Sequence, residues 1–334
     1  MIGRGERAMD FVARRGDGRQ TRFYGAVGGT PAVLVFSGAG GEAEAIRVRE
    51  RLRAEVGAEL DVHVVAGGAA VTEADTFHDA QGSVHGAYGV PLDGRPVVVV
   101  LDPNVRVTAT RVMGDIDAAL ESEEPWAQVA VAVRAASLDG PGTTASRHAP
   151  VLFVPDALDA GTCAQLQELW AAAGNEPTGV EATIGGTRVD AGDAQRKRRR
   201  DHTVTDPQVL SRLSGHIGRR VMPEIRKAFA YEARRFEGFK IGSYDAGDRG
   251  FFTAHRDNLS PSTAHRKFAL SLNLNDDYDG GELRFPEYGP DRYRPAPGEA
   301  LVFSGAHLHE VLPVTRGRRF VLLSFLFGDE AVRR

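Results

Sequence analysis

Two residues that commonly bind metal ions, His255 and Asp257, are separated by one residue in the segment FFTAHRD, residues 251–257. In an extended chain, side chains two positions apart point to the same side, so both could reach one ion. A His-x-Asp sequence also arises often by chance, and the alternative is a surface pair with no role. The spacing therefore predicts half of a metal site and requires a third ligand elsewhere in the chain.

A third ligand is available in the segment FSGAHLHEVLPV, residues 303–314, where His307 and His309 follow a predicted strand. Two histidines and one carboxylate, with the opposite coordination positions open, are the ligand set of non-haem iron(II) oxygenases. The open positions are free for a cosubstrate and oxygen. Under the alternative interpretation, these histidines lie at the rim of a β-hairpin, solvated and without a function.

Several motifs in the second half of the chain resemble the prolyl 4-hydroxylase-like branch of the iron(II)/2-oxoglutarate dioxygenases. The pattern of that branch is His-x-Asp, then a histidine four residues before Pro-Val, and a Lys or Arg ten residues after that histidine. Here Pro313-Val314 and Arg319 follow His309 at these spacings. The segments NLNDDYDGGELRFPE and PAPGEALVF also resemble motifs of the branch, and the resemblance covers about residues 150–328. The metal ligands that it implies are His255, Asp257 and His309.

The resemblance also implies a site for 2-oxoglutarate, which chelates iron at one end and carries a free carboxylate at the other. A guanidinium binds a carboxylate through two parallel hydrogen bonds, so Arg319 is the expected partner. Arg318 should point to the opposite face of the same strand. Tyr244 resembles the family tyrosine that bonds the same carboxylate. It precedes His255 by eleven residues, where the family usually has nine, and an ordinary strand aromatic is the alternative.

Three more residues are expected around the site. His307 lies two residues before His309, and we interpret it as supporting a ligand or facing the substrate. Asn273 occupies a polar position of the alternating strand KFALSLNLN and is expected to line the mouth of the pocket. Arg256, between the first two ligands, should point away from the metal and contact the substrate or neighbouring side chains.

The resemblance implies an enzyme that uses Fe(II), 2-oxoglutarate and O2, with ascorbate as a candidate reductant. Such an enzyme releases succinate and carbon dioxide and hydroxylates a small molecule, an amino acid or a peptidyl residue. One alternative is a non-catalytic sensor that binds a metal and 2-oxoglutarate. Another is an interaction protein built chiefly on the first half of the chain.

Composition argues against several other partners. The net charge of −4 gives no general attraction to nucleic acid or anionic membranes, and the longest apolar run, at 96–101, is too short to span a bilayer. The basic run RKRRRD at 196–201 is expected to be a solvated loop, although Arg198–Arg200 could reach the site and hold an anionic substrate. A single cysteine and a charged N-terminal segment favour a cytoplasmic location.

The elements that must position these residues fall into two regions, as a chain of 334 residues suggests. The segment LDGPGTTASRHA at 138–149 has a linker composition and is the expected boundary. After it come helices, one with Cys163 and Trp170 on an apolar face, and then short strands at regular intervals. This order predicts an α+β domain over 150–334 whose core is a double-stranded β-helix, or jelly roll.

The first half alternates strand, small-residue loop, helix and strand before a hairpin, which predicts an α/β domain over 1–140. It resembles a peroxiredoxin of the thioredoxin superfamily over about 15–135, with Pro96 in the place of the superfamily's cis-proline. The loop SGAGG at 37–41, where the reactive cysteine belongs, contains none, so the domain should be redox-inert. Its expected role in this thioredoxin-like form is homodimerisation, substrate presentation or partner docking.

Overall fold

The described parts of the chain come from a computed structural model and comprise residues 1–57, 60–68, 72–113, 124–136, 144, 147–184, 187–191 and 194–329. Two units follow one another along the chain, Met1–Gly142 and Thr143–Arg334. Most of the predicted linker at 138–149 lies outside the described residues. No helix in the described ranges is both long and apolar enough to cross a membrane.

The first unit is built from short strands and helices in alternation. They are β1 (Val12–Arg15), β2 (Gln20–Arg22), α1 (Phe23–Ala26), β3 (Ala32–Ser37), α2 (Glu42–Val56), β4 (Asp61–Ala66), β5 (Thr76–His78), α3 (Ser83–Tyr88), β6 (Val97–Leu101), β7 (Val107–Val112) and α4 (Glu124–Ala136).

These strands form one mixed sheet in the order β2-β1-β5-β4-β3-β6-β7. Strand β4 pairs in parallel with β3 and β5, whereas β6 pairs antiparallel with β3 and β7. Every residue of β3 and β6 is buried, because both faces of the sheet are covered. Val48 and Leu52 of α2 and Trp126 of α4 pack on one face, and Phe23 and Phe77 lie on the other.

A buried ionisable pair joins α3 to the end of β3. His85 lies with Nδ1 2.8 Å from Asp79 Oδ2 and with Nε2 2.9 Å from the backbone oxygen of Ser37. Burial alone would raise the pKa of Asp79, but hydrogen bonds from the His85 backbone and side chain, with the charge of His85, bring this pKa below its ordinary value. The pair therefore stabilises the unit while Asp79 is ionised.

The structure corrects one expectation for this unit. No cis peptide bond occurs among the described residues, so the bond before Pro96 is trans, and the assignment of Pro96 as a cis-proline is wrong. Pro96 leads directly into β6, and its carbonyl oxygen accepts a hydrogen bond from Met113 N at 2.8 Å. An extended entry to β6 is compatible with the ordinary trans bond.

The second unit begins with helices and continues mainly as strands. Its elements are β8 (Leu152–Val154), α5 (Ala160–Ala172), β9 (Glu176–Pro177), β10 (Val180–Ile184), β11 (Thr187–Ala191), β12 (Lys197–Arg198), β13 (Arg200–Thr203), α6 (Pro207–Arg220), α7 (Met222–Phe229), β14 (Arg235–Phe236), β15 (Lys240–Asp245), β16 (Phe251–His255), β17 (Phe268–Asn273), β18 (Asp279–Gly280), β19 (Leu283–Arg284), β20 (Arg292–Tyr293), β21 (Ala300–Ser304), β22 (His309–Val311), β23 (Val314–Arg316) and β24 (Arg318–Phe327).

Two antiparallel sheets form the β core of this unit. The larger has the order β8-β21-β17-β24-β15-β13-β9, with β14 also on β24, and the smaller has the order β12-β16-β22-β19-β20. Tyr244 and Phe303 of the larger sheet share a buried cluster with Leu283 and Val311 of the smaller one. The two sheets therefore pack face to face, which is consistent with the predicted jelly-roll core.

The helices of this unit cover the other face of the larger sheet. Asp159 is the N-cap of helix α5, and its carboxylate accepts a hydrogen bond from Thr162 N at 2.7 Å. Cys163 and Trp170 of α5 are buried in one cluster with Ile241 of β15 and residues of α6 and α7. This support fixes the larger sheet, so its inward-facing side chains have a rigid base.

Candidate metal centre

The two predicted histidine ligands lie directly opposite each other on paired strands. His255 ends β16, His309 begins β22, and their Cα atoms are register partners. Asp257 follows β16 by two residues, and its backbone N donates to Gly305 O at 2.8 Å. The Nε2 atoms of His255 and His309 are each 3.6 Å from an Asp257 carboxylate oxygen. One ligand atom from each residue lies within 4.8 Å of the others.

Hydrogen bonds fix which nitrogen of each imidazole faces the centre. His255 Nδ1 is 2.8 Å from Thr253 O, and His309 Nδ1 is 3.0 Å from His307 O. A carbonyl oxygen can only accept a hydrogen bond, so each Nδ1 carries the proton and donates it. An imidazole whose single proton is on Nδ1 has a free lone pair on Nε2, the atom that lies near Asp257 in both residues. This is the arrangement that metal-binding histidines use.

The charge state of the cluster also suits a cation. Burial lowers the pKa of His309, although Asp257 acts in the opposite direction, so this imidazole is neutral at neutral pH. Burial would raise the pKa of Asp257, but His309, His255 and Arg266 together bring it below its ordinary value. Asp257 Oδ2 is buried and has no hydrogen-bond partner. A buried anionic oxygen that lacks a partner fits a divalent metal ion.

Arg319 lies on β24 with its guanidinium held by neutral groups. Nε and Nη2 donate to Asn273 Oδ1 at 3.0 and 2.9 Å, and Nη1 donates to Gly281 O at 2.9 Å. A longer bond of 3.3 Å joins Nη2 to Ser271 Oγ. The residue is only 1% exposed, and within the described ranges no carboxylate pairs with it. A buried cation with neutral partners is costly unless an anion joins it.

Tyr244 is the register partner of Arg319 on β15, and its ring centre is 5.7 Å from the Arg319 guanidinium carbon. Its hydroxyl oxygen accepts a hydrogen bond from Arg199 Nη1 at 3.3 Å. Arg199 in turn forms two bonds of 2.6 Å with the Asp201 carboxylate. Burial would lower the pKa of Arg199, but Asp201 and Tyr244 raise it above its ordinary value. Arg199 therefore turns inward and stays charged.

Arg199 is the residue that sequence reasoning did not single out. The sequence suggested that the whole group Arg198–Arg200 could reach the site, whereas only Arg199 bonds to Tyr244. The signal that could have identified it is Arg199-x-Asp201. Opposite charges two positions apart lie on one face of an extended segment and can pair.

The other three predicted residues have distinct partners. His307 orients His309 through its backbone carbonyl, and its Nε2 is 3.3 Å from Tyr288 Oη. Arg256 pairs with the carboxylate of Glu287 and does not join the ligand cluster. The prediction that Asn273 lines the mouth of a pocket is wrong. Asn273 is fully buried because β17 lies inside the larger sheet, between β21 and β24.

Comparison with known proteins agrees with this geometry. Residues 239–327 match the model of the 2OG-Fe(II) oxygenase superfamily, and this range contains His255, Asp257, His309 and Arg319. The match confirms the prediction of an oxygenase domain of this type in the second half of the chain. The match covers about a quarter of the chain and applies to this segment.

Individual relatives are also found. A PKHD-type hydroxylase of Pseudomonas fluorescens is 35% identical over 102 residues, which are 28% of this chain and 43% of the relative. One of Sphingopyxis alaskensis is 49% identical over 51 residues, or 15% of this chain and 23% of the relative. The chain thus spans about half or less of the curated relatives that it matches. A solved prolyl-4-hydroxylase of Pseudomonas putida is 20% identical in sequence, with a TM-score of 0.40. The structural alignment includes 54% of this chain and 94% of the hydroxylase chain.

Proposed function

We propose that this chain is a non-haem iron(II)- and 2-oxoglutarate-dependent dioxygenase. It hydroxylates a small molecule, an amino acid or a peptidyl residue and releases succinate and carbon dioxide. The observation that carries the proposal is the convergence of His255, Asp257 and His309 around a buried carboxylate oxygen without a partner. The match of residues 239–327 to the oxygenase superfamily and the hydroxylase relatives support the same conclusion.

The three ligand residues would hold the metal with little rearrangement. His255 and His309 are fixed by their bonds to backbone carbonyls, so their Nε2 lone pairs are already oriented. Asp257 supplies the one negative charge. When bound, iron(II) supplies the oxygen activation and redox chemistry that hydroxylation of a C–H bond requires. The chain provides a rigid set of donors on paired strands that orient this chemistry.

Arg319 would hold the distal carboxylate of 2-oxoglutarate. Its guanidinium is already desolvated and positioned by Asn273 and Gly281, so binding an anion removes the cost of an unpaired buried cation. Tyr244 would add a second donor, because its oxygen accepts from Arg199 and its O–H proton remains free to donate. Arg199 would hold the Tyr244 hydroxyl in place while keeping its bonds to Asp201.

The test is the binding of 2-oxoglutarate to the ferrous protein without oxygen, seen as a visible charge-transfer band, followed by a screen for succinate release. We expect the band in the wild-type protein and its loss in Asp257→Ala. Arg319→Lys keeps the positive charge but loses the two parallel N–H donors of the guanidinium. This variant should require a much higher concentration of 2-oxoglutarate to develop the band. Absence of the band in a folded, iron-loaded protein would overturn the proposal. A band without succinate release from any substrate would identify a sensor instead.

For the first unit we propose a thioredoxin-like fold without redox activity. The strand order β5-β4-β3-β6-β7 supports the fold, since β4 pairs in parallel with both neighbours and β6 pairs antiparallel with both of its own. The absence of cysteine from residues 37–41 supports the lack of redox activity. Homodimerisation through this unit and a cytoplasmic location stay predictions. Light scattering of the whole chain measures the first, and fractionation of the source cells measures the second.

A further inference from the structure

A basic groove lies on the second unit and encloses about 810 Å³. Its walls come from separate segments, including the loop at Thr178, residues 197–200, the turn at 245–249 and Arg318. The cationic side chains that line it are Lys197, Arg198, Arg199, Arg200, Arg249 and Arg318, and the acidic ones are Asp245 and Asp248. The whole chain carries a net charge of −4, so the groove has the opposite sign to the protein around it.

Three of the groove's five arginines have no acidic partner in the described ranges. Arg198 donates to the backbone oxygens of Ala194 and Asp248, and Arg200 bonds to Asn175. Arg249 is exposed and takes the left-handed conformation, with φ of 48°, which is rare for a residue with a side chain. Across the ranges that the structure describes, none of these three pairs with a carboxylate. Arg318, by contrast, is paired with Asp245.

Two residues that line the groove contact side chains next to the candidate metal centre. Arg199 lines the groove and bonds to Tyr244, whose ring lies against Arg319. Lys197 also lines the groove, and its Nζ lies 5.2 Å from the centre of the Phe252 ring. That ring stacks on His255 with centroids 3.6 Å apart. Two side-chain contacts, from Lys197 to Phe252 and from Phe252 to His255, therefore connect the groove with the candidate metal centre.

The chemistry of the groove favours carboxylates on an extended ligand. Guanidinium groups bind planar carboxylates bidentately, and the three available arginines lie on two segments, residues 197–200 and 245–249. A ligand that carries several carboxylates therefore matches them better than one small anion. Single-stranded nucleic acid fits less well, because it requires exposed aromatic rings on which bases stack. The groove's Trp170 is 6% exposed and is covered by Arg318 at 5.4 Å. The protein's negative charge also opposes a long polyanion.

We propose that this groove binds an acidic segment of a peptide substrate and thereby presents the neighbouring residue to the metal centre. The proposal rests on the oxygenase function proposed above and names its substrate class. Sites of attack would be flanked in sequence by aspartate or glutamate. Recognition would depend on Arg198, Arg200 and Arg249, whereas binding of 2-oxoglutarate would depend on Arg319.

The experiment measures fluorescence anisotropy of a short labelled peptide of alternating glutamate and serine with the full-length protein. A lysine–serine peptide and a short oligothymidylate serve as competing probes. The test variant is Arg198→Gln/Arg200→Gln/Arg249→Gln. Its matched control is Arg212→Gln, which removes an exposed arginine of α6 outside the groove. Circular dichroism and the 2-oxoglutarate charge-transfer band report whether each variant is folded and loads its cosubstrate.

We expect the glutamate peptide to bind, the triple variant to weaken its Kd about tenfold, and the control to change it less than about twofold. Raising the salt concentration from about 50 to about 300 mM should weaken binding further. Equal binding of the two peptides, an unchanged Kd in the triple variant, or preferential binding of the oligothymidylate would each overturn the proposal. Peptide binding without any charge-transfer band would support the groove as a peptide site but refute the proposed oxygenase function. The experiment therefore distinguishes a failure of the groove proposal from a failure of the proposed function.

Discussion

Replacement of Asn273 by aspartate should disable the 2-oxoglutarate site without touching the metal ligands. Asn273 Oδ1 accepts two hydrogen bonds from Arg319, at 3.0 and 2.9 Å. Aspartate has the same shape and places a negative charge at that position. The buried guanidinium would then have an internal counter-ion, and the carboxylate of the cosubstrate would have to compete with it.

The size of the effect follows from the distances. Two unit charges about 4 Å apart interact by about 4 kcal/mol at an effective dielectric constant near 20. Part of this gain is lost, because the new carboxylate is desolvated and faces the Pro295 carbonyl, which now accepts a 2.8 Å bond from Asn273 Nδ2. If about half remains, binding of 2-oxoglutarate loses about 2 kcal/mol, or about 30-fold in Kd.

The assay is an anaerobic titration of the iron-loaded protein with 2-oxoglutarate, monitored by the charge-transfer band. Iron affinity should change less than about twofold, since Asn273 contacts none of the three ligands. Ser271→Ala is the control, because it removes only the 3.3 Å bond to Arg319 and should cost no more than about 1 kcal/mol. A folded Asn273→Asp protein with a Kd within about threefold of wild type would refute a role for the Arg319 charge in holding the cosubstrate.

Three further predictions follow from buried groups. Asp257→Asn should lower iron(II) affinity by at least about tenfold, measured by equilibrium dialysis, because it removes the only negative charge of the ligand set, and an unchanged affinity would exclude this ligand. Burial, with Asp159, raises the pKa of Cys163 to about 11, so alkylation of the native protein at pH 8 should be about 100-fold slower than in urea, and equal rates would contradict its burial. The depressed pKa of Asp79 means that its stabilisation is present above the unfolded pKa and is lost as pH falls through the folded one. Thermal melts of wild type and Asp79→Asn should therefore differ at pH 7, and the difference should shrink progressively as the pH falls below about 4. A constant difference would show that the Asp79 charge does not contribute.

The proximity of the proposed ligands His255 and Asp257 could be predicted because it depends on short-range geometry. His255 and Asp257 are two positions apart, and the alternation of an extended chain places their side chains on one side whatever the rest of the fold does. His309 required more, since its partnership with His255 depends on the pairing of β16 with β22. Family spacing supplied that information where periodicity could not. The trans bond before Pro96 shows the limit of a weaker resemblance, because its position in the sequence did not determine the isomer.

Alternation along one strand could distinguish Arg319 from Arg318, but it could not identify what holds Arg319 in place. Adjacent residues of β24 point to opposite faces, and the structure has Arg318 exposed with Asp245 while Arg319 is buried. The acceptors of Arg319 are 46 and 38 residues away, at Asn273 and Gly281, and they meet it only through strand register. A one-residue shift of β17 against β24 would turn Asn273 to the other face of the sheet. The buried Arg319 guanidinium would then lose its hydrogen bonds to the Asn273 side chain. The register of these two strands is therefore as much a requirement for the proposed 2-oxoglutarate site as the arginine itself.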